Sequence, residues 1–133
     1  MEEFTVQIVT PKRIAYDNKA KFIEYNTING FVGVYPSHVP TTQIIEPGEI
    51  KIYEEGGNIV RGALLSGFVK IMPDLITVMA EVLEWKDEID IERATNAKQR
   101  AEDRLQKKDS SLDVLRAEVA LKRALVRLKI ASE

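Results

Sequence analysis

The chain has 133 residues, of which 44% are hydrophobic and 30% are charged, and its formal net charge is −2. These values are ordinary for a soluble globular chain of one large or two small domains, and they give no general attraction to nucleic acid. The absence of cysteine excludes disulfides, thiol catalysis and cysteine-type zinc sites, and no apolar run reaches the ~20 residues that a membrane helix needs.

The first two thirds of the sequence predict β-strands. Phe4, Val6 and Ile8 alternate with their neighbours, which is the period of a half-buried strand. Because this N-terminal segment is also acidic, we expect no secretory signal in it. Further strand-like runs lie at 21–28, 50–53, 59–65, 68–72 and 75–83, separated by Asn29-Gly30, the turn 54–58, Ser66-Gly67 and Pro73-Asp74. Many short strands at a spacing of roughly 8–12 residues predict a sandwich or a barrel.

The composition changes near residue 87. Residues 1–87 contain eight Lys and Arg against twelve Asp and Glu, whereas residues 88–133 contain eleven against nine. From Asp90 onward glycine and proline are absent, and Ala, Glu, Lys, Arg and Leu dominate. We therefore predict two domains, a β domain at 1–86 and an α-helical hairpin at 87–133, with Trp85 as a packing residue at their junction.

The second domain contains one helical pattern twice. Residues 89–105 and 112–128 both follow [I/L]-D-x-x-R-A-x-x-A-x-x-R-A-x-x-R-L, with an offset of 23 residues. That offset fits one helix and a turn, so the repeat predicts two antiparallel arms. We expect Asp90 and Asp113 to cap the two helices at their N-termini. The first arm should end at Lys107 and Lys108, and the turn should follow at residues 109–111.

Three alanines and one leucine form one face of each arm. The positions are Ala94, Ala97, Ala101 and Leu105 on the first arm, and Ala117, Ala120, Ala124 and Leu128 on the second. Two alanine faces allow helices to approach closely, but they bury little apolar area. This seam contributes only a few kcal/mol, against about 1–2 kcal/mol of backbone entropy for each ordered residue. We therefore expect the closed hairpin to be marginally stable by itself.

Three arginines on each arm flank this seam. They are Arg93, Arg100 and Arg104 on the first arm, and Arg116, Arg123 and Arg127 on the second. One interpretation is a solvated surface, with Glu102, Asp103 and Glu118 as internal partners. A second is a phosphate site, because guanidinium groups match phosphate geometry. A third is contact with an acidic protein surface, and the interleaved acidic residues disfavour a fourth, nucleic acid.

Neither the single histidine nor the glycine-rich segment indicates catalysis. His38 lies between Pro36 and Pro40, and no nucleophile, base and acid accompany it in the sequence. One histidine without cysteine is also a poor metal site. Residues 30–33 lack the pattern of a phosphate-binding loop, so we expect Gly30 and Gly33 at tight strand ends or bulges. The sequence therefore predicts no catalytic group and no metal site.

Two blocks of the sequence resemble a known family. Residues 30–40, followed by Pro47-Gly48, resemble the G-x-x-G-[I/V]-x-P-x-H-x-P…P-G signature of the epsilon subunit of F-type rotary ATP synthases. Residues 66–78 resemble its S-G-G-F-x-E-V…D-x-V-T-V-[L/M] stretch, with the second glycine absent. The resemblance covers essentially the full chain in order. It implies an antiparallel β-sandwich of about ten strands followed by a helix–turn–helix.

The resemblance also implies a function and partners. It implies a non-catalytic central-stalk subunit that binds the gamma subunit, rests on the c-ring, and has no obligatory cofactor. The hairpin is then able to extend along gamma and contact the catalytic beta subunits, where it impedes ATP hydrolysis. The complex would hold the chain at the cytoplasmic face of the bacterial plasma membrane. Candidate partner-contact residues are Phe31, Val32, His38, Arg104 and Arg116.

Some bacterial members of that family bind ATP on the folded hairpin as a regulatory ligand. Their [I/L]-D-x-x-R-A motif is matched here by residues 89–94. The resemblance thus assigns candidate nucleotide-binding residues, namely Glu84, Asp90, Arg93, Ala94, Arg100, Arg123 and Arg127. Arg100, Arg123 and Arg127 would hold phosphates, and Asp90 and Arg93 would fix the base or each other. The competing interpretation is an unrelated interaction module with a β domain and a dimerising hairpin.

Overall fold

The chain divides into two compact units, Met1–Glu84 and Trp85–Glu133. The computed structural model describes residues 3–107 and 110–133, without the side chain of residue 112. The first unit is a β-sandwich and the second is a two-helix hairpin, so the predicted fold class is confirmed. No helix in the described ranges is long and apolar enough to cross a membrane.

Eight strands are described, rather than the expected ten or so. They are β1 (Phe4–Val9), β2 (Ile14–Ala20), β3 (Phe22–Thr27), β4 (Gly30–Val34), β5 (Thr41–Ile44), β6 (Gly48–Tyr53), β7 (Ile59–Ile71) and β8 (Leu75–Trp85). Their order is β2-β1-β8-β7-β6-β3-β4, and β5 pairs with β7. β1 runs parallel to β8 and antiparallel to β2, and β6 is antiparallel to both β3 and β7.

Alternation of apolar side chains builds the core of the sandwich, as the sequence predicts. In β1, the side chains of Phe4, Val6 and Ile8 are buried, while the residues between them are only half-buried. The same alternation recurs in β3 and in β6. Because neighbouring side chains of a strand point to opposite faces, these residues meet on the inner side. The interior also holds Ile23, Tyr25, Ile50, Ile52, Val69, Ile71, Ile76 and Val78.

The predicted separation of two strands at Ser66-Gly67 is wrong, because β7 continues through these residues. Residues 59–64 pair with β6, and residues 68–71 pair with β5, so the strand changes its neighbour at this point. Gly67 has a φ angle of +131°, which side chains rarely allow. A Cβ atom there would lie 2.1 Å from the carbonyl oxygen of Met79. The glycine therefore lets two backbones approach within one continuous strand.

Three strands carry no clear alternation and were not predicted. β2 contains Asp17, Asn18 and Lys19 and has only one neighbour, so one of its edges lacks a partner strand in the described sheet. β5 has only four residues. β4 includes both glycines: Gly30 has a positive φ at the strand start, as expected, but Gly33 is in the interior. A Cβ at Gly33 would lie 2.5 Å from the ring of Phe22, so this side chain covers the glycine.

The second unit begins with a 3₁₀ turn, Lys86–Glu88, followed by α1 (Ile91–Lys107) and α2 (Ser111–Ser132). Asp90 caps α1 as predicted, because its Oδ1 accepts a hydrogen bond from the backbone N–H of Arg93 at 3.0 Å. Asp113 is not the cap of α2, and that prediction is wrong. Ser110 caps the helix by accepting from the N–H of Asp113 at 3.1 Å. The predicted positions of Lys108 and Asp109 lie outside the described residues.

One carboxylate joins distant parts of the sandwich. Glu54, the residue after β6, accepts hydrogen bonds from Tyr16, from Asn18 at 3.3 Å and from Asn58 at 2.7 Å. The bonds from Tyr16 and then Asn58 lower the pKa of Glu54 below its ordinary value of 4.5. Burial, together with the bond to Glu54, raises the pKa of Tyr16. The carboxylate thus ties β2 to the turn between β6 and β7.

Replacing Glu54 with glutamine is expected to reduce the acid sensitivity of folding. A lowered folded-state pKa adds stability above the unfolded-state pKa, near 4.5, and this stability is lost as pH falls through the folded-state pKa. Urea unfolding between pH 7 and pH 3 should show a smaller loss for Glu54→Gln, which should also be less stable by about 1 kcal/mol at pH 7. Glu55→Gln, at the exposed neighbouring position, is the control. Equal pH dependence of both variants and the wild type would contradict this role of Glu54.

Candidate functional site

The seam between α1 and α2 is made of alanines at a spacing of seven residues. Ala94 and Ala101 are buried on α1, and Ala117 and Ala124 are buried on α2. Ala97 and Ala120, the matching alanines of the repeat, are only half-buried. Because alanine side chains are short, the half-buried pair leaves space beside the seam rather than filling it.

This space forms a groove of about 490 Å³ on the hairpin. Its described lining consists of Ala97, Leu115, Arg116, Val119, Ala120, Arg123 and Arg127. Ala120 belongs to the same helical row as the three arginines of α2. It lies four residues after Arg116 and three residues before Arg123. The row is therefore cationic with one small residue in it. Arg116, Arg123 and Arg127 surround the gap that Ala120 leaves.

The guanidinium of Arg123 is incompletely satisfied. Its Nε atom is buried and has no hydrogen-bond partner in the structure. Leaving a buried charged donor without an acceptor costs about 1–3 kcal/mol or more. An anion in the groove would supply such an acceptor once the side chain turns its Nε toward the groove. Arg123 is therefore the lining residue that most strongly indicates a ligand.

Five of the six arginines are not engaged with the internal partners that the sequence suggested. Within residues 3–107 and 110–133, no ion pair joins any of Arg93, Arg100, Arg104, Arg116 and Arg123 to an acidic side chain. Asp103 instead accepts a hydrogen bond from Gln99 at 3.0 Å. These five arginines are thus available to an external anion.

The groove combines cations with apolar walls and has no carboxylate among its described lining residues. Leu115 and Val119 lie one turn apart on α2 and are 58% and 42% exposed. Guanidinium groups bind phosphate oxygens in a fork-like geometry, and exposed aliphatic side chains pack against rings. The arrangement therefore suits a ligand with both phosphates and an apolar ring. Sequence reasoning did not select Leu115 or Val119, although their i, i+4 spacing beside the arginine row was visible.

The structure brings together only some of the predicted nucleotide-binding residues. Arg123 and Arg127 line the groove, whereas Arg93 and Arg100 are exposed on α1 and are not part of its lining. Asp90 is exposed and caps α1, and Ala94 is buried in the seam. Glu84 is half-buried near the end of β8 and belongs to the first unit. The arm that contributes cations to the groove is α2, and α1 contributes Ala97.

The predicted partner-contact residues fall on two surfaces. Arg104 is exposed on α1, and Arg116 is exposed at the groove. On the sandwich, Phe31 is 58% exposed in β4, and Val32 beside it is half-buried. His38 is half-buried in the following loop, with its Nδ1 2.7 Å from the carbonyl oxygen of Val39.

Apolar side chains cluster in sequence around this loop. Ile28, Phe31, Tyr35, Val39 and Ile44 are all exposed. The loop itself is fixed, because the N–H of Ser37 donates to the carbonyl oxygen of Pro73 at 2.8 Å. Contiguous apolar patches at a protein surface are typical of interaction sites. Across the described residues, no group of three or more His, Cys, Asp or Glu residues is placed to hold a metal.

Two family models match consecutive parts of the chain. The β-sandwich domain of the ATP synthase delta/epsilon chain matches residues 3–86. The long α-helix domain of the same chain matches residues 87–132. The chain therefore belongs to the ATP synthase delta/epsilon family. The resemblance found in the sequence blocks at 30–48 and 66–78 is confirmed, and the alternative of an unrelated module is removed.

The curated relatives reported below are all named epsilon chains, which assigns this chain within the delta/epsilon family. The ATP synthase epsilon chain of Ruminiclostridium cellulolyticum is 38% identical over 128 residues, covering 96% of this chain and 95% of that protein. The epsilon chain of Caldanaerobacter subterraneus subsp. tengcongensis is 39% identical over 131 residues, covering 98% and 94%. That of Bacillus velezensis is 37% identical over 131 residues, covering 98% of each. The identification as an epsilon subunit of an F-type ATP synthase is thus confirmed.

Solved structures share the fold at lower identity. A chain in the cryo-EM structure of the Euglena gracilis mitochondrial ATP synthase, with OSCP, F1 and c-ring, matches with a TM-score of 0.86 at 20% identity. The match covers 98% of this chain and 82% of that one. A chain in the central stalk and c-ring of the Tetrahymena thermophila mitochondrial ATP synthase gives 0.70 at 14% identity, covering 98% and 97%. These likenesses extend the fold assignment over both units.

Proposed function

We propose that this chain is a non-catalytic central-stalk subunit that couples the catalytic head of a bacterial F-type ATP synthase to its ion-translocating c-ring and regulates ATP hydrolysis. Membership of the delta/epsilon family is the observation that carries the proposal. The bacterial names of its relatives and the stalk and c-ring assemblies of its structural neighbours support it. In such a complex the chain lies at the cytoplasmic face of the membrane and meets the membrane only through its partners.

The sandwich provides the contact with gamma and the c-ring. Phe31 and Val32 in β4 and His38 in the next loop are the residues assigned to this contact. Exposed apolar side chains at Ile28 and Val39 beside them support the assignment, because burying them against a partner removes apolar area from water. The anchored backbone at Ser37 limits the entropy that such an association would lose.

The hairpin provides the regulation. Arg104 and Arg116 are exposed and have no ion pair in the described parts of the chain. When the arms separate, these arginines contact an acidic surface of the beta subunits. Charge complementarity of this kind steers association and fixes its register. The extended hairpin then impedes the rotation that ATP hydrolysis drives.

ATP is the ligand of the closed hairpin, where it acts as a regulator and not as an obligatory cofactor. The groove supports this assignment, since it combines Arg123 and Arg127 with the apolar walls at Leu115 and Val119. The phosphates bind the two arginines, and the unpaired Nε of Arg123 gains an acceptor. Arg93, Arg100 and Asp90 join the site only after a rearrangement, because none of them lines the groove.

Ligand binding changes the balance between two states of the hairpin. ATP binds the closed state alone, and a hundredfold excess over the dissociation constant stabilises that state by about 2.7 kcal/mol. The alanine seam contributes only a few kcal/mol, so the ligand is able to decide the balance. High ATP concentrations then keep the arms closed and permit turnover, whereas low concentrations favour the inhibitory, extended hairpin.

Removing the hairpin after Asp87 is expected to increase ATP hydrolysis by the assembled complex about fivefold or more at low ATP. Assembly with gamma and the c-ring should be retained, because the assigned contact lies in the sandwich. Hydrolysis and a pull-down of both partners from reconstituted complexes measure the two effects separately. Unchanged hydrolysis would remove the inhibitory role, and loss of assembly would contradict the assignment of the contact to the sandwich.

The intact chain is expected to bind ATP by itself. Calorimetric titration with ATP, ADP and inorganic triphosphate separates the contribution of the phosphates from that of the base. If the apolar walls pack against the base, ATP should bind more tightly than triphosphate. No binding of ATP up to millimolar concentrations would remove the ligand from the proposal and leave the stalk assignment untouched.

A further inference from the structure

The start of the second unit is bonded to its end. The Nζ atom of Lys86, in the 3₁₀ turn, donates a hydrogen bond to the main-chain oxygen of Glu133, which follows α2. The last carbonyls of a helix lack partners within the helix and carry a partial negative charge. A lysine ammonium satisfies one of them and complements the charge. Lys86 therefore acts as a C-terminal cap of α2, 47 residues away along the chain.

The backbone around Lys86 is held in place by its own hydrogen bonds. The N–H of Trp85 donates to a side-chain oxygen of Glu88 at 3.0 Å. The N–H of Ile89 donates to the carbonyl oxygen of Lys86 at 3.4 Å. The ammonium is thus presented from a hydrogen-bonded turn, and less backbone entropy is lost when it binds α2.

The same end of α2 has its own large buried side chain. Ile130 is fully buried, whereas the other fully buried residues of α2 among those described are Ala117 and Ala124. At the other end of the hairpin the covalent turn already joins the arms. The Lys86 bond therefore lies at the open end of the hairpin, and Ile130 is buried in the same part of α2.

We propose that Lys86 is a latch that holds α2 in the closed hairpin. Its regulatory consequence rests on the proposed function, because only a hairpin that opens in the complex makes the latch useful. Opening begins with the loss of the Lys86 bond to Glu133, after which the last turns of α2 leave the 3₁₀ turn. The latch and a ligand in the groove act on the same closed state, so either one makes the other more effective.

Hydrogen exchange of the intact chain tests the latch directly. In Lys86→Met, which keeps the apolar part of the side chain, amides in the last two turns of α2 should exchange about threefold to tenfold faster than in the wild type. Lys86→Arg should restore protection, since it keeps a cationic donor. Lys129→Met is the matched control, because it removes the same charge from the last turn of α2 at an exposed position. Equal exchange rates in Lys86→Met and Lys129→Met would overturn the proposal.

ATP hydrolysis by the assembled complex tests whether the Lys86 latch has a regulatory effect. If the hairpin inhibits hydrolysis, Lys86→Met should strengthen that inhibition at low ATP, whereas Lys129→Met should not. Faster exchange in Lys86→Met without any change in hydrolysis would support the latch and contradict the regulatory part of the proposed function. Unchanged exchange with changed hydrolysis would overturn the latch, because the effect would then arise from a contact with a partner subunit.

Discussion

Replacing Arg123 with methionine is expected to weaken ATP binding about tenfold to a hundredfold without destabilising the hairpin. The loss of a charge-assisted pair with phosphate accounts for the weaker binding. Stability should be retained or should rise, because methionine keeps the apolar stem and removes a buried Nε that has no partner. A residue that serves only the fold would show the opposite, a loss of stability with no effect on the ligand.

Arg104→Met is the matched control for this experiment. Arg104 belongs to the same repeated pattern on α1, but it is exposed and does not line the groove. Its replacement should change ATP affinity by no more than the loss of one distant charge, which is less than about threefold at physiological salt. Calorimetry gives the affinity, and thermal unfolding gives the stability. Equal effects of the two substitutions would show that the hairpin attracts ATP through its overall charge and not through the groove.

Replacing Gly67 with alanine is expected to destabilise the sandwich by at least about 3 kcal/mol. Two causes add together. A φ angle of +131° is strained for any residue with a side chain, and the new Cβ would meet the Met79 carbonyl oxygen at 2.1 Å. Since domains of this kind have total stabilities of about 5–15 kcal/mol, the variant should unfold at a much lower urea concentration.

Gly56→Ala separates the two causes. Gly56 also has a positive φ, +91°, but a Cβ there meets no atom within 4 Å. Its replacement should therefore show the backbone strain alone, about 1 kcal/mol. Urea unfolding followed by circular dichroism compares both variants with the wild type. If Gly67→Ala were no less stable than Gly56→Ala, the close approach of β7 to β8 at this point would be disproved.

The strands that could be predicted are those with one face in the core. In β1, β3 and β6, apolar residues alternate because each strand buries one face and leaves the other half-buried. β2 and β5 lack this signal, since one is polar and the other has only four residues. Ser66-Gly67 was predicted to separate two strands, because glycine is found both between strands and where two strands approach closely.

The hairpin was predicted more completely, because its signal is local. Helix formation needs contacts between residues three or four positions apart, and the repeat records these directly. The cap at Asp90 followed from its position before the first turn. The cap of α2 was misplaced because both Ser110 and Asp113 carry capping side chains, and only the register of the turn selects between them.

The sequence by itself therefore determined the order of the two domains, the alternating core of the sandwich, the alanine seam of the hairpin and the family. These are properties of spacing along one element or of short motifs. The tertiary structure alone decided that Arg123 and Arg127 share a groove with Leu115 and Val119, while Arg93 and Arg100 do not line it. It also decided that Lys86 meets Glu133. Such contacts depend on the packing of one element against another, which spacing within either element does not specify.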